Sequence, residues 1–266
     1  MTTHDPEELF RSTAPYYARY RPGYPSEFFT CLAEIQQLDG TQEALDLGCG
    51  TGQVAIPLAA SVREVVAVDP QPDMLQWGRR RAVEEGVDNI VWKQGDSRTL
   101  DTLDLPDLDI VTMGASFHWM DRDAVMGYLD GTVVPGGAVV VASGGAPVDE
   151  SPPAWAEIIR EIRERYLGTQ RRAGRGTYRH PAERHEIILA RSPFSDVRRE
   201  LWEWDLVRDL DAIVGLQLSR SFSAPALLGD RTEAFVGDLR TALAQAHPDG
   251  RIVERLRTEA LIARRP

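Results

Sequence analysis

The 266 residues contain only two cysteines, Cys31 and Cys49. They offer no disulfide framework, and Cys49 stands inside a glycine-rich turn, which fits a reducing, cytoplasmic setting. No apolar run approaches the length of a membrane span, and residues 1–25 are polar and proline-bearing with no apolar stretch of signal length. Repeats and low-complexity tracts are also missing. Positive charge is in deficit: 30 Lys+Arg stand against 41 Asp+Glu, a net charge of −11 with a pI near 5.0. That disfavours nucleic acid as a general partner and leaves a small molecule as the default. His180 and His185 lack the helical spacing and the companions of a metal pair, so no metal is expected. What remains is a soluble globular balance, 42% hydrophobic and 27% charged, on a chain long enough for one domain with an inserted subdomain. Monomer and dimer stay equally open.

The chain is organised around Ala44 to Ala60, ALDLGCGTGQVAIPLAA. A short buried strand, Ala44 to Leu47, leads into Gly48, Gly50 and Gly52 and then into a run of small residues that starts a helix. Alternate glycines between a strand and a helix let the backbone turn tightly and approach a ligand with no Cβ in the way. The helix start behind them offers free N–H groups. A dinucleotide fingerprint needs a third glycine at the sixth place, which here is Gln53. Asp46, two residues before the first glycine, would repel a pyrophosphate. A cationic ligand without phosphate suits that carboxylate better, and S-adenosylmethionine is one.

The string DLGCGTG resembles the first motif of the class I S-adenosylmethionine-dependent methyltransferases. YARYRPGYP, inside an aromatic and basic cluster from Phe10 to Tyr24, is similar to the opening of methyltransferases related to trans-aconitate methyltransferase. The resemblance covers most of residues 10–266, with sharp motifs between 44 and 143. It implies that Asp46, Gly48, Cys49 and Gly50 bind the cofactor. Residues 1–25 then read either as an arm packed on the domain or as a lid, with Tyr20 and Arg21 against the cofactor and Tyr16 toward the substrate.

Further motifs follow in strand-and-helix order. Ser26 is placed to cap a helix carrying Phe28, Phe29, Leu32 and Ile35. Pro57 should keep the helix after the glycines short or irregular. Val65 to Val68 is a second buried strand ending at Asp69, where a carboxylate can accept both ribose hydroxyls. Pro70 and Met74 are placed to flank the adenine, and the helix that follows should stop at Gly86. A third strand, Ile90 to Gln94, ends at Asp96 and Ser97; turn chemistry alone explains them, and the resemblance implies an adenine contact. A fourth, Leu108 to Met113, leads into Ala115, Ser116, Phe117, His118 and Trp119, a loop that should face the cofactor. His118 is either a structural histidine or a general base. Asp121 should cap the next helix, and Pro135-Gly136-Gly137 should turn into a fifth strand, Ala138 to Ser143.

The alternation then stops. A helix starting at Ser151 and closed by Gly168 precedes a basic loop whose Arg175 and Arg179 are candidates for an anionic substrate group, or simply a charged surface. Val197 to Trp204 reads as strand six, with helices at Leu210 to Ser219 and Thr232 to Ala246. Ile252 to Ala263 resembles the family's final strand, antiparallel between strands five and six. The expected fold is a doubly wound, mostly parallel seven-stranded α/β sheet with a helical cap. Its expected parts are an arm over 1–25, a cofactor core over 26–143, a cap over 144–193 and a completion over 194–266. The expected activity is methyl transfer from S-adenosylmethionine to a small-molecule acceptor, at oxygen if His118 is the base. Two rivals stand beside it: a non-methylating protein that keeps the nucleoside site, and a nicotinamide oxidoreductase, which Gln53 and Asp46 disfavour.

Overall fold

In the computed structural model, which describes residue 10 and residues 12–148, 153–170, 172–173, 176–177 and 183–266, the apolar runs become strands of one sheet. The strands are β1 Glu43–Leu47, β2 Glu64–Asp69, β3 Ile90–Gln94, β4 Leu108–Gly114, β5 Val133–Pro147, the hairpin β6 Arg172–Ala173 and β7 Gly176–Thr177, β8 Asp196–Asp209 and β9 Arg251–Arg264. The α-helices are α1 Ala14–Tyr20, α2 Ser26–Gln36, α3 Ala55–Leu58, α4 Pro72–Glu84, α5 Arg122–Thr132, α6 Ala154–Leu167, α7 His185–Ala190, α8 Leu210–Leu218, α9 Pro225–Leu228 and α10 Thr232–Ala246. Two compact units result: Pro22–Ala146 with His180–Trp202 and Arg257–Pro266, and Met1–Arg21 with Pro147–Arg179 and Glu203–Leu256.

The main sheet is ordered β3-β2-β1-β4-β5-β9-β8, with β1 to β4 in the first unit. β1 pairs in parallel with β2 and β4, β2 with β3, and β4 with β5. The order runs outward from β1 in one direction and resumes from β4 in the other, which makes a topological switch point between them. β9 is antiparallel: Glu259 N donates to Ser143 Oγ at 3.1 Å, while Val148 N donates to the Arg255 carbonyl at 3.1 Å. Period-two alternation assigns the strand side chains to two faces. Leu45, Val66, Val111 and Val139 face one way and bury Val125 and Leu129 of α5. Ala44, Val65, Ile110 and Val140 face the other and bury Phe28 and Leu32 of α2. Both faces being covered explains why these strands read as continuous apolar runs.

Several boundaries differ from the sequence expectation. Ser26 does not cap α2: Pro25, at φ −64° and ψ 151°, is the N-cap residue, and Ser26 Oγ bonds to Glu27 instead. β5 begins at Val133, and Pro135-Gly136-Gly137 is a bulge within it, the register jumping from Leu108↔Val133 to Ile110↔Ala138. β8 runs on to Asp209. α7, not foreseen, puts Ile188 and Leu189 into the core beside Phe194. Helix α6 begins after Pro153, so Ser151 lies outside the described residues. The helix after the glycine turn is short, as Pro57 suggests: Ala55–Leu58, then a 3-10 turn over Ala59–Ser61. Among the described residues no helix is long and apolar enough to cross a membrane.

The second unit is helical and, where the sequence expects a cap over 144–193, draws on residues 1–21 and 203–256 as well. Ile159 and Ile162 of α6, Ile213 and Val214 of α8, and Phe235 and Leu239 of α10 form its core. Helix α8 is buried from Ile213 to Leu218, and Gly215 in its middle admits the Tyr20 ring of α1. A Cβ there would lie 2.2 Å from Tyr20 Cδ2. Alanine is the better helix former by about 1 kcal/mol, so on propensity alone Gly215→Ala should stabilise. The close approach predicts the reverse: a lowered thermal midpoint by circular dichroism, recovered when Tyr20→Ala is added. A midpoint equal to or above wild type would show that the ring is free to move aside.

Candidate active site

The parallel strands β1 to β4 end at one edge of the sheet, and the predicted loop residues gather there. The turn after β1 is left-handed at Gly48, Gly50 and Gly52, with φ of +75°, +54° and +82°. That geometry is costly for any residue carrying a Cβ. Hydrogen bonds set the turn against the end of β2. Gly48 N and Cys49 N both donate to the Val68 carbonyl, at 2.8 and 3.0 Å. Gly50 N donates to Asp69 Oδ2 at 2.8 Å, and Gln71 N to Asp69 Oδ1 at 2.9 Å. The Asp69 carboxylate thus joins the glycine turn to the start of α4, and each oxygen keeps accepting capacity for a further donor. Burial raises its pKa to about 6, with the two backbone hydrogen bonds opposing the shift.

Asp46 is turned inward. Its Oδ2 accepts from Ala55 N at 3.0 Å and its Oδ1 from Thr112 Oγ1 at 2.9 Å, so it straps the start of α3 to β1 and β4. The Cys49 thiol is buried, and burial drives its pKa well above the ordinary range, aided by the charges of Asp69 and Asp46. It stays protonated and unreactive. Pro70 is half-buried, and Met74 is buried on α4, which starts with Pro72 at its first turn.

At the end of β3, Gly95 N donates to the Asp69 carbonyl at 3.2 Å, which brings Asp96 and Ser97 to the same edge. The Asp96 carboxylate is occupied by Arg98, whose backbone N is 2.7 Å away. Burial alone would raise its pKa; hydrogen bonds from Arg98 and that guanidinium's charge outweigh burial and hold it below the ordinary value.

The loop after β4 closes on the glycine turn at the switch point. Ser116 Oγ donates to the Leu47 carbonyl at 2.7 Å, and a Cβ on Gly48 would stand 2.5 Å from Ser116 Cβ. Ala115 is left-handed at φ +52°, held by its N–H to the Ala142 carbonyl at 2.7 Å. A non-glycine residue kept in that region at a strand end is stored strain of about 1–3 kcal/mol. His118 and Trp119 follow on a 3-10 turn with their rings 4.8 Å apart, both half-buried. Asp121 caps α5, accepting from Ala124 N at 3.2 Å.

Sequence reasoning left Tyr24 out of the site. Its hydroxyl stands where a Cβ on Gly114 would be 2.7 Å away and one on Gly144 3.3 Å away, so two glycines clear space for one phenol at the ends of β4 and β5. The aromatic stacking of Tyr24 on Phe28, 5.0 Å between centroids, positions it. Glycines with ordinary φ at two strand ends were the available signal. Tyr16, Tyr20 and Arg21 belong to the helical unit: Tyr16 joins its core, Tyr20 packs on Gly215, and Arg21 Nη2 donates to the Ser219 carbonyl at 3.2 Å. Arg175 and Arg179 lie outside the described residues. Among the described residues no group of three or more His, Cys, Asp or Glu is arranged to hold a metal.

A family model described as a methyltransferase domain matches residues 44–137, the stretch from β1 into β5. An uncharacterized methyltransferase of Mycobacterium tuberculosis is 26% identical over 225 residues, which is 84% of this chain and 82% of that protein. A solved structure of a candidate type II methyltransferase from Anaeromyxobacter dehalogenans shares the fold with a TM-score of 0.62, at 22% identity over 92% of this chain and 98% of that one. A phosphoethanolamine N-methyltransferase of Haemonchus contortus, solved with S-adenosylhomocysteine and phosphomonomethylethanolamine, shares it with a TM-score of 0.55, at 16% identity over 96% of this chain and 58% of that one.

The buried carboxyls carry a pH dependence. Burial raises the Asp46 pKa to about 7 and the Asp69 pKa to about 6, from an ordinary value of about 3.9. Folding therefore favours the protonated forms. Their contribution to stability is complete below about pH 4 and is lost as pH rises through about 6 and 7. Asp46→Asn keeps an acceptor for Ala55 N and offers its amide to Thr112 Oγ1, whose hydroxyl can turn to the Leu45 carbonyl at 3.3 Å. Urea unfolding should show a component falling over about pH 4–7 that this substitution removes. Parallel profiles for variant and wild type would mean that Asp46 does not titrate there.

Proposed function

We propose that this enzyme, a methyltransferase, uses S-adenosylmethionine to methylate a small-molecule acceptor at the edge where β1, β2, β3 and β4 end. The observation that carries this reading is the Asp69 carboxylate bound to Gly50 N at 2.8 Å, which couples a ribose-accepting acid to a Cβ-free turn. The residues fit the group. The left-handed glycines leave backbone open to a close neighbour, and Asp69 has acceptor capacity left for two hydroxyls. When bound, S-adenosylmethionine supplies a methyl group already activated on a sulfonium. The chain's task is then alignment and exclusion of water rather than covalent catalysis.

In this reading Gly48, Cys49 and Gly50 line the cofactor, Asp69 holds the ribose, and Asp96 with the Ser97 backbone meets the adenine beside Pro70 and Met74. Asp46 acts from beneath, fixing the turn through Ala55 N. Ala115 and Ser116 close the switch point. Tyr20 and Arg21 remain proposed cofactor residues from the arm, and Tyr16, Trp119, Arg175 and Arg179 proposed acceptor residues. For an acceptor that reacts through oxygen, His118 takes the hydroxyl proton on an imidazole nitrogen. The half-buried ring beside Trp119 supports that role.

Calorimetric titration with S-adenosylmethionine, S-adenosylhomocysteine and NADH tests the cofactor half of the proposal. Saturable binding of both sulfur nucleosides is expected, and binding of NADH alone would overturn it. Asp69→Ala should weaken S-adenosylhomocysteine by at least about tenfold, since losing a charge-assisted acceptor costs roughly 1.5–3 kcal/mol. Affinity equal to wild type would remove Asp69 from the site. With an acceptor found by screening labelled methyl transfer, His118→Ala should lower turnover by about 10²–10⁴ while cofactor affinity holds. Unchanged turnover would return His118 to a structural role.

A further inference from the structure

The turn that carries His118 meets one side chain, His185, at both of its ends. Phe117 opens the turn and is buried, with its ring centroid 5.1 Å from that of His185. Asp121 closes the turn by capping α5. Arg122, the first residue of that helix, places Nη1 3.3 Å from His185 Nδ1 and donates with it to the Glu183 carbonyl at 2.8 Å. A guanidinium nitrogen can only donate, so Nδ1 is the accepting nitrogen of a neutral imidazole whose proton is on Nε2, a tautomer assigned from the partner. His185 begins α7, and Ile188 and Leu189 bury that helix in the core beside Phe194. Packing therefore fixes the backbone of His185 independently of the ring's charge.

The charges that act on the ring come from three elements: Arg122 of α5, Glu186 of α7 itself and Glu259 of β9. Both carboxylates have arginines of their own, Glu186 accepting from Arg184 at 3.0 Å and Glu259 from Arg199 at 2.6 Å. The turn adds His118 and Asp121 as its own titratable groups. Burial, aided by the Arg122 guanidinium, holds the His185 pKa below its ordinary value against the pull of Glu186 and Glu259. A second tie between the helices does not involve the ring: Arg191 donates to Asp123 at 2.7 Å and to Glu183 at 2.6 Å. Protonation turns Nδ1 from an acceptor into a donor and sets a second cation against Arg122. We propose that His185 is a positioning residue, a latch that when neutral holds Phe117 and Arg122, and with them the turn presenting His118, and that when protonated releases this turn. Its consequence for catalysis rests on the role given to His118 in the methyl-transfer reading; the latch itself does not. Folding favours the neutral ring, so the latch's contribution to stability is complete above about pH 6.5 and is lost as pH falls.

The test is titration of the imidazole signals of the full chain by NMR, with His118→Ala and His185→Gln serving to assign them. The His185 midpoint should lie below about 6.5, and the His118 signals should show a second inflection at that same pH. Glutamine offers Arg122 an acceptor and does not titrate, so His185→Gln should keep the high-pH His118 signals and lose the second inflection. Arg122→Met removes the facing cation and should move the His185 midpoint up toward its ordinary value. A single His118 inflection in wild type would overturn the proposal, as would a second inflection that survives in His185→Gln or a His185 midpoint that Arg122→Met leaves in place. If His185→Gln does not fold, the Arg122→Met midpoint decides. With an acceptor in hand, the acid limb of kcat should have a slope of two in wild type and one in His185→Gln; equal slopes would overturn the catalytic consequence. Unchanged turnover in His118→Ala would count against the base role and not against the latch, which the imidazole titrations read without substrate.

Discussion

The bond between the glycine turn and the end of β2 is the constraint on which the rest of the site depends. Two backbone donors, Gly48 N and Cys49 N, share the Val68 carbonyl, and Gly50 N takes the Asp69 carboxylate. To present those N–H groups toward β2 the turn must become left-handed at alternate residues, which is why glycine stands at 48, 50 and 52. The same curvature brings Gly48 against Ser116, so the loop after β4 is positioned by the turn after β1. One set of hydrogen bonds thus organises the switch point.

The carboxylates beneath that turn show how a parallel sheet builds a polar site without opening its core. Asp46 sits in an apolar strand, yet both its oxygens are satisfied, by Ala55 N and by Thr112 Oγ1. A buried polar group so paired rigidifies its surroundings instead of weakening them. Asp69, a strand neighbour, divides its accepting capacity between the turn and α4. The strained Ala115 and the phenol of Tyr24 complete an edge in which loops vary in chemistry while the strands beneath stay fixed.

The helical unit follows a different logic. Its close approaches come from helix faces, as where Tyr20 lies over Gly215. Its charges are arranged in depth: Arg208 is buried with Glu254 and also donates to the Tyr20 carbonyl at 2.9 Å, tying α1 to β8.

Local chemistry was legible in the sequence because it repeats at short range. Positive-φ glycines, an acid two residues before the first of them, and apolar runs of four or five residues determined the glycine turn, Asp69 and the order of strands and helices through β5. The stop at Gly86 and the cap at Asp121 were equally local. What the sequence could not state was direction and company. That Asp46 points inward to Thr112, 66 residues away, follows from β1 lying beside β4. Tyr24 reaches the strand ends only because Gly114 and Gly144 stand on adjacent strands. Ser26 lost its capping role to Pro25, and α7 went unforeseen because its six residues are too few for periodicity to declare. Side-chain identity is written in the chain, but a side chain's partner is set by which strands and helices become neighbours, and burial of both sheet faces decides that only when the whole fold closes.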